Sequence, residues 1–531
     1  MQIALFRHGP QVLSLPAGCP AETDSEPGDL ALESDSEPTL VLESYSNPGQ
    51  LSLESDSDPG DLSLEPDPAG AMDLDAEEFT SLPWQWADRL LFSLRAILGE
   101  AILRRRFAAF RNVSSHCSGL GTAELALQHL RAACLRVLNF DPGWETSSVC
   151  DNGRGQQQAL AARLRGRCCI FADVLDIVPA LQPFHPVLPR RAVASQLAPP
   201  AYSDMLQVAK TAPVSQTGRC VAHSSECLRA PAELDVSGSP CNSWTSEGLL
   251  DRQDSKFVAV TLAWCRWLLD SSLLIGVHEN VKGFDKSTVL QDVLGAAFVI
   301  IFLRVSPGDA GFPFIRRTRS YAICIRRAAL HVVVDIPTLY TAVSQEVSQA
   351  AHVSLSALAG ASQVELLAEE NAARARVRRL PPRSDDDGPS KDWTYLLNDR
   401  QQLVLTALLA QWQRKYHVDA KDDDQCVFML FRSCDRSRIH SRGVIPTLTS
   451  GSSRNCWMPA LGRWLLHREL AAAMGYPVDR QWALAARVDQ DLVTSPPGAQ
   501  TSVYMLGGAM HVANVGVVMA PGSFFFQGLY A

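Results

Sequence analysis

Apolar residues between 84 and 103 recur at helical spacing: Trp84, Leu90, Leu91, Leu94, Ile97, Leu98, Ile102 and Leu103. The spacing predicts one amphipathic helix over 84–105, with Arg104-Arg105-Arg106 at the end where cations meet the negative helix pole. Phe110 to His116 reads as a weak strand, Gly119-x-Gly121 as a turn, and Leu125, Leu127 and Leu130 as one face of a following helix. Cys134 to Phe140 reads as a second strand ending near Trp144-Glu145, and Cys168 to Ala172 as a third ending at Asp173. A short apolar run from Leu234 stops at Ser237-Gly238-Ser239, where Pro240-Cys241 opens a polar loop. Phe257 to Leu269 then has helical spacing. Leu273 to Val277 reads as a strand running into His278-Glu279-Asn280-Val281. Ala297 to Leu303 and Tyr321 to Ile325 form a later strand pair bracketing Pro313 to Arg319. Strands alternating with helices from 110 to 303 argue a doubly wound, mostly parallel α/β sheet, with the last pair adding an antiparallel edge strand.

Outside that alternation the pattern changes. From Asp24 to Pro68 an imperfect repeat of ten or eleven residues recurs (Asp-Ser-Glu-Pro at 24–27 and 35–38, Tyr-Ser-Asn-Pro at 45–48, Asp-Ser-Asp-Pro at 56–59). Its prolines, like charges and scarce large apolar residues predict a disordered tail over 1–80. Residues 180–232, rich in Pro, Ala and Ser, read as an insertion. Residues 328–440 are mixed and hold an arginine run (Arg374, Arg376, Arg378, Arg379, Arg383), most simply a solvated helix face. A helix over Leu465–Met474 ends in Gly475-Tyr476-Pro477, and a glycine pair, Gly507-Gly508, follows near the end.

Charge sharpens this division. The net charge is −9, but residues 1–79 hold 18 acids and one basic residue, Arg7, for −17. Residues 80–531 hold 39 acids and 47 basic residues, for +8. An acidic tail thus precedes a mildly basic body, and only the body's charge favours nucleic acid. The 531 residues suit two or three domains. Met1 to Pro20 lacks the pattern of a signal peptide, and the apolar run near Ala296 to Leu303 is too short to cross a bilayer. Fourteen cysteines without regular spacing suit free thiols in a reducing compartment, so a soluble intracellular protein with no membrane partner is expected.

Candidate chemistry lies at strand ends. A strand, a Gly119-x-Gly121 turn and a helix N-terminus make a nucleotide-type corner, and an acid at the end of the second strand, Glu145, suits ribose hydroxyls. Cys241 sits where open α/β sheets hold their ligands, although one thiol after a proline is ordinary on its own. Cys220-x-x-His223-x-x-x-Cys227 offers three soft ligands that could hold zinc with Cys241 or another residue as the fourth. No second Cys-x-x-Cys supports that set, and no metal is expected.

In order along the chain, these pieces resemble the S-adenosylmethionine-dependent DNA cytosine-5 methyltransferases. Ser118-Gly119-Leu120-Gly121 is similar to the cofactor motif, Pro240-Cys241 to the nucleophile loop, and Glu279-Asn280-Val281 to the family's Glu-Asn-Val motif. Arg317-x-Arg319, Pro446-Thr447-Leu448-Thr449, Arg468-Glu469 with Met474-Gly475-Tyr476-Pro477, and Gly507-Gly508 follow in family order. Three positions depart from the pattern. Phe314 follows Pro313 where Gln is usual, Gly508 replaces an Asn, and Cys117 stands where an aromatic usually opens the cofactor motif.

The resemblance implies a class I methyltransferase of Rossmann-like fold. It implies a tail at 1–80, a lead-in helix at 81–109, a catalytic domain at 110–327, a target-recognition region at 328–440, and 441–531 completing the catalytic domain. It implies S-adenosyl-L-methionine as cofactor and duplex DNA with a flipped cytosine as partner. Cys241 would be the nucleophile, with nearby arginines and helix N-termini lowering its pKa. Glu279 would contact the base N3 edge, and Arg317 and Arg319 would hold the base carbonyl and the cysteine loop. Asn280 would fix Glu279 and the Pro240 loop. Ser118, Gly119 and Gly121 would approach the methionine moiety, Glu145 the ribose and Asp173 the adenine amine, with Gly507-Gly508 closing the cofactor side. RNA as substrate, or a degenerate fold kept as a binding or scaffold module, are the alternatives. The nucleus is the expected compartment, and the tail is a candidate arm for a protein partner.

Overall fold

The computed structural model describes residues 83–185, 201–245, 252–332, 334–349, 354–378, 380–384, 387–430, 442–449, 456–478, 483–484, 505–523 and 526–528. The expected acidic tail, 1–80, lies outside the described residues, as does 186–200 of the expected insertion.

The lead-in segment forms two helices rather than one, α1 (Trp86–Leu98) and α2 (Glu100–Phe107). Gly99 separates them at φ +83°, a conformation that ends a helix cheaply only at glycine. Next come β1 (Asn112–His116), α3 (Thr122–Val137), β2 (Glu145–Cys150), α4 (Arg154–Leu164) and β3 (Cys169–Phe171). The expected strand over 134–140 is therefore the last turn of α3 and the loop after it. Leu127, Leu130, Cys134 and Val137 share the i, i+3, i+7 stripe of one buried helix face, a periodicity that outweighs the short apolar run at its end.

The chain continues through α5 (Tyr202–Thr211), the hairpin β4 (Thr217–Cys220) and β5 (Ser225–Leu228), β6 (Leu234–Ser237), α6 (Val258–Asp270), β7 (Ile275–Asn280) and α7 (Lys286–Leu294). β8 (Phe298–Val305) and β9 (Arg319–Arg326) close the sheet. Its order is β5-β4-β3-β2-β1-β6-β7-β9-β8. The five central strands β3, β2, β1, β6 and β7 are parallel. An antiparallel pair flanks them on each side. The mostly parallel α/β sheet with an antiparallel strand beyond β7 is thus present.

Both faces are covered, as a central parallel sheet requires. One core holds α1, α3, the helix α8 (Ile336–Ser348) and the inward residues Val236, Val277 and Ile323. The other holds α5, α6 and α7 with Ala322 and Cys324 of β9, the alternate positions of the same strand. α8 falls inside 328–440 by sequence but packs on α1, so the start of that stretch belongs to the α/β core. A third core gathers Trp393, Trp412, Trp457 and Trp464 around α9 (Gln363–Ala373), α10 (Asp399–Tyr416) and the small sheet β11 (Phe428–Met429), β12 (Cys456–Met458) and β13 (Arg463–Trp464). After β10 (Leu330–Val332) the chain returns late to pair it with β14 (Phe526–Gly528), and α11 (His467–Ala473) and α12 (Val512–Ser523) join the first core. A second apolar stretch, Met505–Gly522, is less apolar per residue than 296–303 but much longer. It is long and apolar enough to cross a bilayer, yet 89% of it is buried inside the fold, as suits a core helix.

Candidate active site

The parallel registers bring the chemistry to one edge. His116 of β1 pairs with Ser237 of β6, and Ser237 pairs with His278 of β7, so β1 and β6 finish level and β7 runs two residues further, to Asn280. The loop Gly238-Ser239-Pro240-Cys241 leaves β6 at that edge. Glu279 and Asn280 end β7 beside it. β9 enters the sheet there in the opposite sense, with Ser320 opposite Asn280, which brings in Arg319.

Ser239 holds the cysteine loop. Its hydroxyl accepts from Thr261 Oγ1 at 2.9 Å and from Asn280 Nδ2 at 3.1 Å. Its own proton then goes to His278 Nε2 at 2.8 Å. Burial pushes His278 down to about 3, so the ring is neutral and able to accept. Asn280 Nδ2 also donates to the Ser239 carbonyl at 3.2 Å, one residue before Pro240. Asn280 therefore ties the end of β7 to the cysteine loop through one side-chain and one main-chain oxygen of Ser239.

Glu279 is buried, and Arg319 Nε lies 3.1 Å from its Oε1. Burial raises the carboxyl above its ordinary value, against the pull of Arg319 and Arg317. Cys241 is partly exposed, and its thiol is also raised, first by burial and then by Glu279, with Arg319 and Arg317 opposing. The expected lowering is thus reversed, because desolvation and a neighbouring carboxylate outweigh two guanidinium groups.

Arg317 does something other than expected. Its buried guanidinium donates to the carbonyls of Leu448 at 3.2 Å, Gly507 at 3.2 Å and Ala509. It is a strut between three distant chain segments, and Arg319 alone pairs with the glutamate. Gly507 contributes that carbonyl, while Gly508 is exposed, with nothing within 4 Å of where a Cβ would stand.

The glycine corner lies at the same edge, after β1. Gly119 and Gly121 both take positive φ, +57° and +70°. A Cβ on Gly121 would lie 2.7 Å from Arg163 Nη1, whereas one on Gly119 would meet nothing within 4 Å. Ser118 is turned inward: its hydroxyl bridges the Cys150 N–H and carbonyl at 3.1 Å each and meets Ser115 Oγ at 2.6 Å. It shapes the turn and has no free hydroxyl to offer a ligand.

Because β2 is Glu145–Cys150, Glu145 stands exposed at its start, the far edge from the site. The acid at the carboxyl end is Asp151, which accepts the Gly119 N–H at 2.8 Å and the Gly153 N–H at 2.9 Å. Asp151 thus replaces Glu145 as the candidate for ribose hydroxyls. Burial raises its carboxyl, with Asp173 adding to the effect. Asp173 caps a short 3-10 turn after β3, where its Oδ1 accepts the Leu175 N–H at 2.9 Å. Open space over Gly119, with Asp151 and Asp173 ending adjacent strands, fits an adenosyl cofactor.

Ser239 and Asp151 escaped the sequence reading, though both left a trace. Ser239 precedes the Pro-Cys pair, and Asp151-Asn152-Gly153 after Val149-Cys150 has the composition of a strand followed by a turn. Thr122 and Tyr476, whose hydroxyls meet at 2.7 Å, tie the glycine corner to the Gly475-Tyr476-Pro477 motif.

No family profile and no curated protein matches the chain. Among solved structures it is similar to a protein from E. coli described as a prophage-encoded DNA modification methyltransferase, at 14% identity and a TM-score of 0.37, over 77% of this chain and 98% of that one. It is also similar to the Dnmt2 methyltransferase of S. pombe, at 13% identity and 0.35, over 77% and 97%. A third is the methyltransferase EhMeth of Entamoeba histolytica, at 11% identity and 0.37, over 78% and 97%. The functional reading rests on the residues of this chain.

Proposed function

We propose that the chain methylates C5 of cytosine in DNA, using S-adenosyl-L-methionine and a covalent bond from Cys241 to C6. The observation that carries the reading is the meeting of Cys241, Glu279 and Arg319 at one sheet edge, with Asn280 and Ser239 fixing the loop, beside the Gly119–Gly121 corner. Cytosine C5 is a poor nucleophile, and thiolate addition at C6 gives it enamine character. The cofactor supplies a methyl group made electrophilic by its sulfonium. Gly119, Asp151 and Asp173 would hold it, with Gly121 setting the turn.

Glu279, its carboxyl raised above the ordinary value by burial against the pull of Arg319 and Arg317, is placed to take up a proton and share it with the base N3 as charge builds there on Cys241 addition. Arg319 keeps that carboxyl in place and favours the thiolate. Loss of the C5 proton to solvent water then expels the Cys241 thiolate and restores the ring. The base must leave the duplex, at roughly a few kcal/mol of unstacking. With DNA as substrate, the nucleus is the expected compartment.

The test is incubation with S-adenosylmethionine and duplex DNA carrying 5-fluorocytosine, whose C5 cannot lose a proton. A stable adduct mapping to Cys241 is expected, absent from Cys241→Ala. No adduct over varied DNA sequences, or one that survives the substitution, removes the reading. Adducts on fluorinated RNA but not DNA would transfer the chemistry to RNA. The capture of Arg317 by the carbonyls of Leu448, Gly507 and Ala509, which leaves Arg319 to pair with Glu279, favours a second reading, a methyltransferase fold kept as a binding module. Cofactor binding by calorimetry without any adduct would select it.

A further inference from the structure

The other edge of the sheet holds a cluster that the methyl-transfer reading does not use. Cys169 lies on β3, Cys220 ends β4, His223 sits in the hairpin turn and Cys227 lies on β5. Their four ligand atoms all fall within 4.8 Å of one another. His223 Nδ1 is 3.6 Å from Cys169 Sγ, 3.5 Å from Cys220 Sγ and 3.3 Å from Cys227 Sγ. One imidazole nitrogen has a single proton or lone pair, so it cannot hydrogen-bond three sulfurs at once. As the edges of a coordination shell the distances make sense. Zn–S of about 2.3 Å and Zn–N of about 2.0 Å place tetrahedral S···N edges near 3.5 Å.

The hairpin also has the local build of a metal knuckle. Ser224, between His223 and β5, takes φ +53°, which folds the turn back over Cys220. Cys241, named from the sequence as one choice of fourth ligand, belongs instead to the Ser239 loop. Cys169 takes the fourth place, from a neighbouring strand about 50 residues earlier. Sequence spacing alone could not show it, because the pairing of β3 with β4 supplies it.

We propose that Cys169, Cys220, His223 and Cys227 bind one Zn²⁺ as a closed structural site that fastens the β4–β5 hairpin to the sheet. The attachment needs such a fastening: Phe171 and Cys220 are the one register pair between β3 and β4, flanked by the Ala172 N–H to Arg219 carbonyl bond (3.0 Å) and the Val221 N–H to Ile170 carbonyl bond (2.7 Å). All four positions are filled by protein, so the ion has no open place for water and serves the fold rather than the reaction. Binding releases the protons of those three thiols still protonated.

The test uses the full chain, reduced, loaded with Zn²⁺ and dialysed, with metal measured per chain. About one zinc per chain is expected, and Co²⁺ in its place should give the intense visible bands of a tetrahedral thiolate site. Cys169→Ser, Cys227→Ser and His223→Ala should each lose the ion, while Cys241→Ser should keep it. In case the variants fold poorly, the unaltered protein is also titrated with a chelator under limited proteolysis. Cleavage within 221–224 should appear as zinc leaves and vanish when it returns. Three outcomes overturn the site: no zinc held by fully reduced protein, undiminished zinc in Cys169→Ser, or chelator-independent cleavage.

Discussion

Cys241 at the end of β6 and the trio Cys169, Cys220 and Cys227 at the β3–β5 edge belong to one sheet, yet their neighbours differ in kind. Around Cys241 stand a buried carboxyl, a guanidinium and a loop held by polar side chains. Around the trio stand sulfur and one imidazole. A hard, charged surrounding leaves a thiol room to attack carbon, whereas a soft, closed one gives it a metal to bind. Residue type alone does not separate these roles; the strand order does.

The comparison can be broken most directly at the loop anchor. Asn280→Ala removes two bonds to Ser239, so methyl transfer should fall by about 10²-fold in kcat, on the scale of about 2–3 kcal/mol for lost positioning. His223→Ala at the other edge should change kcat by less than about threefold if its role is structural. Single-turnover rates on both variants, with circular dichroism as folding control, decide it. Equal losses would erase the distinction.

A finer test reads ionisation at Cys241 through its alkylation rate against pH, followed by mass spectrometry of the peptide. Glu279 raises this thiol and Arg319 lowers it. Glu279→Gln should therefore move the alkylation limb to lower pH and Arg319→Ala to higher pH, by on the order of one unit each. Shifts of the same sign would contradict the arrangement. The smallest effect is expected at Gly508→Asn, which restores the residue usual in the motif that Gly507-Gly508 resembles. Its Cβ meets nothing, so the thermal midpoint should hold to within the change given by about 0.5 kcal/mol.

Much of this architecture was legible in the sequence, because strands buried on both faces and helices with one apolar stripe leave strong periodic signals. The ends of β1 and β6 fall where the pattern puts them, while β7 runs on past Val277 to Asn280 and so carries Glu279 and Asn280 within the strand. Errors arose where two signals overlapped. Cys134 to Phe140 is apolar enough for a strand, but it continues the stripe of α3, and that slip moved the ribose acid from Asp151 to Glu145. Gly99 was read through by a helical stripe that spans its break. Arg317 and Cys169 could not be placed by any local pattern, since their partners lie 131 and 190 residues away in one case and across a strand pairing in the other.

The seating of α12 sets a schedule for making the protein. A Cβ at Gly516 would stand 1.9 Å from the Trp86 ring, so the last long helix nests against the first by virtue of a missing side chain. Until that helix leaves the ribosome, the apolar faces of α1 and α3 lack their cover, and the strut at Arg317 lacks the carbonyls of Gly507 and Ala509. The first core must therefore wait, with greasy surface open, for the segment that carries α12. A ribosome stalled near residue 500 would carry a nascent chain open to chaperones and proteases, and emergence of α12 would close that surface.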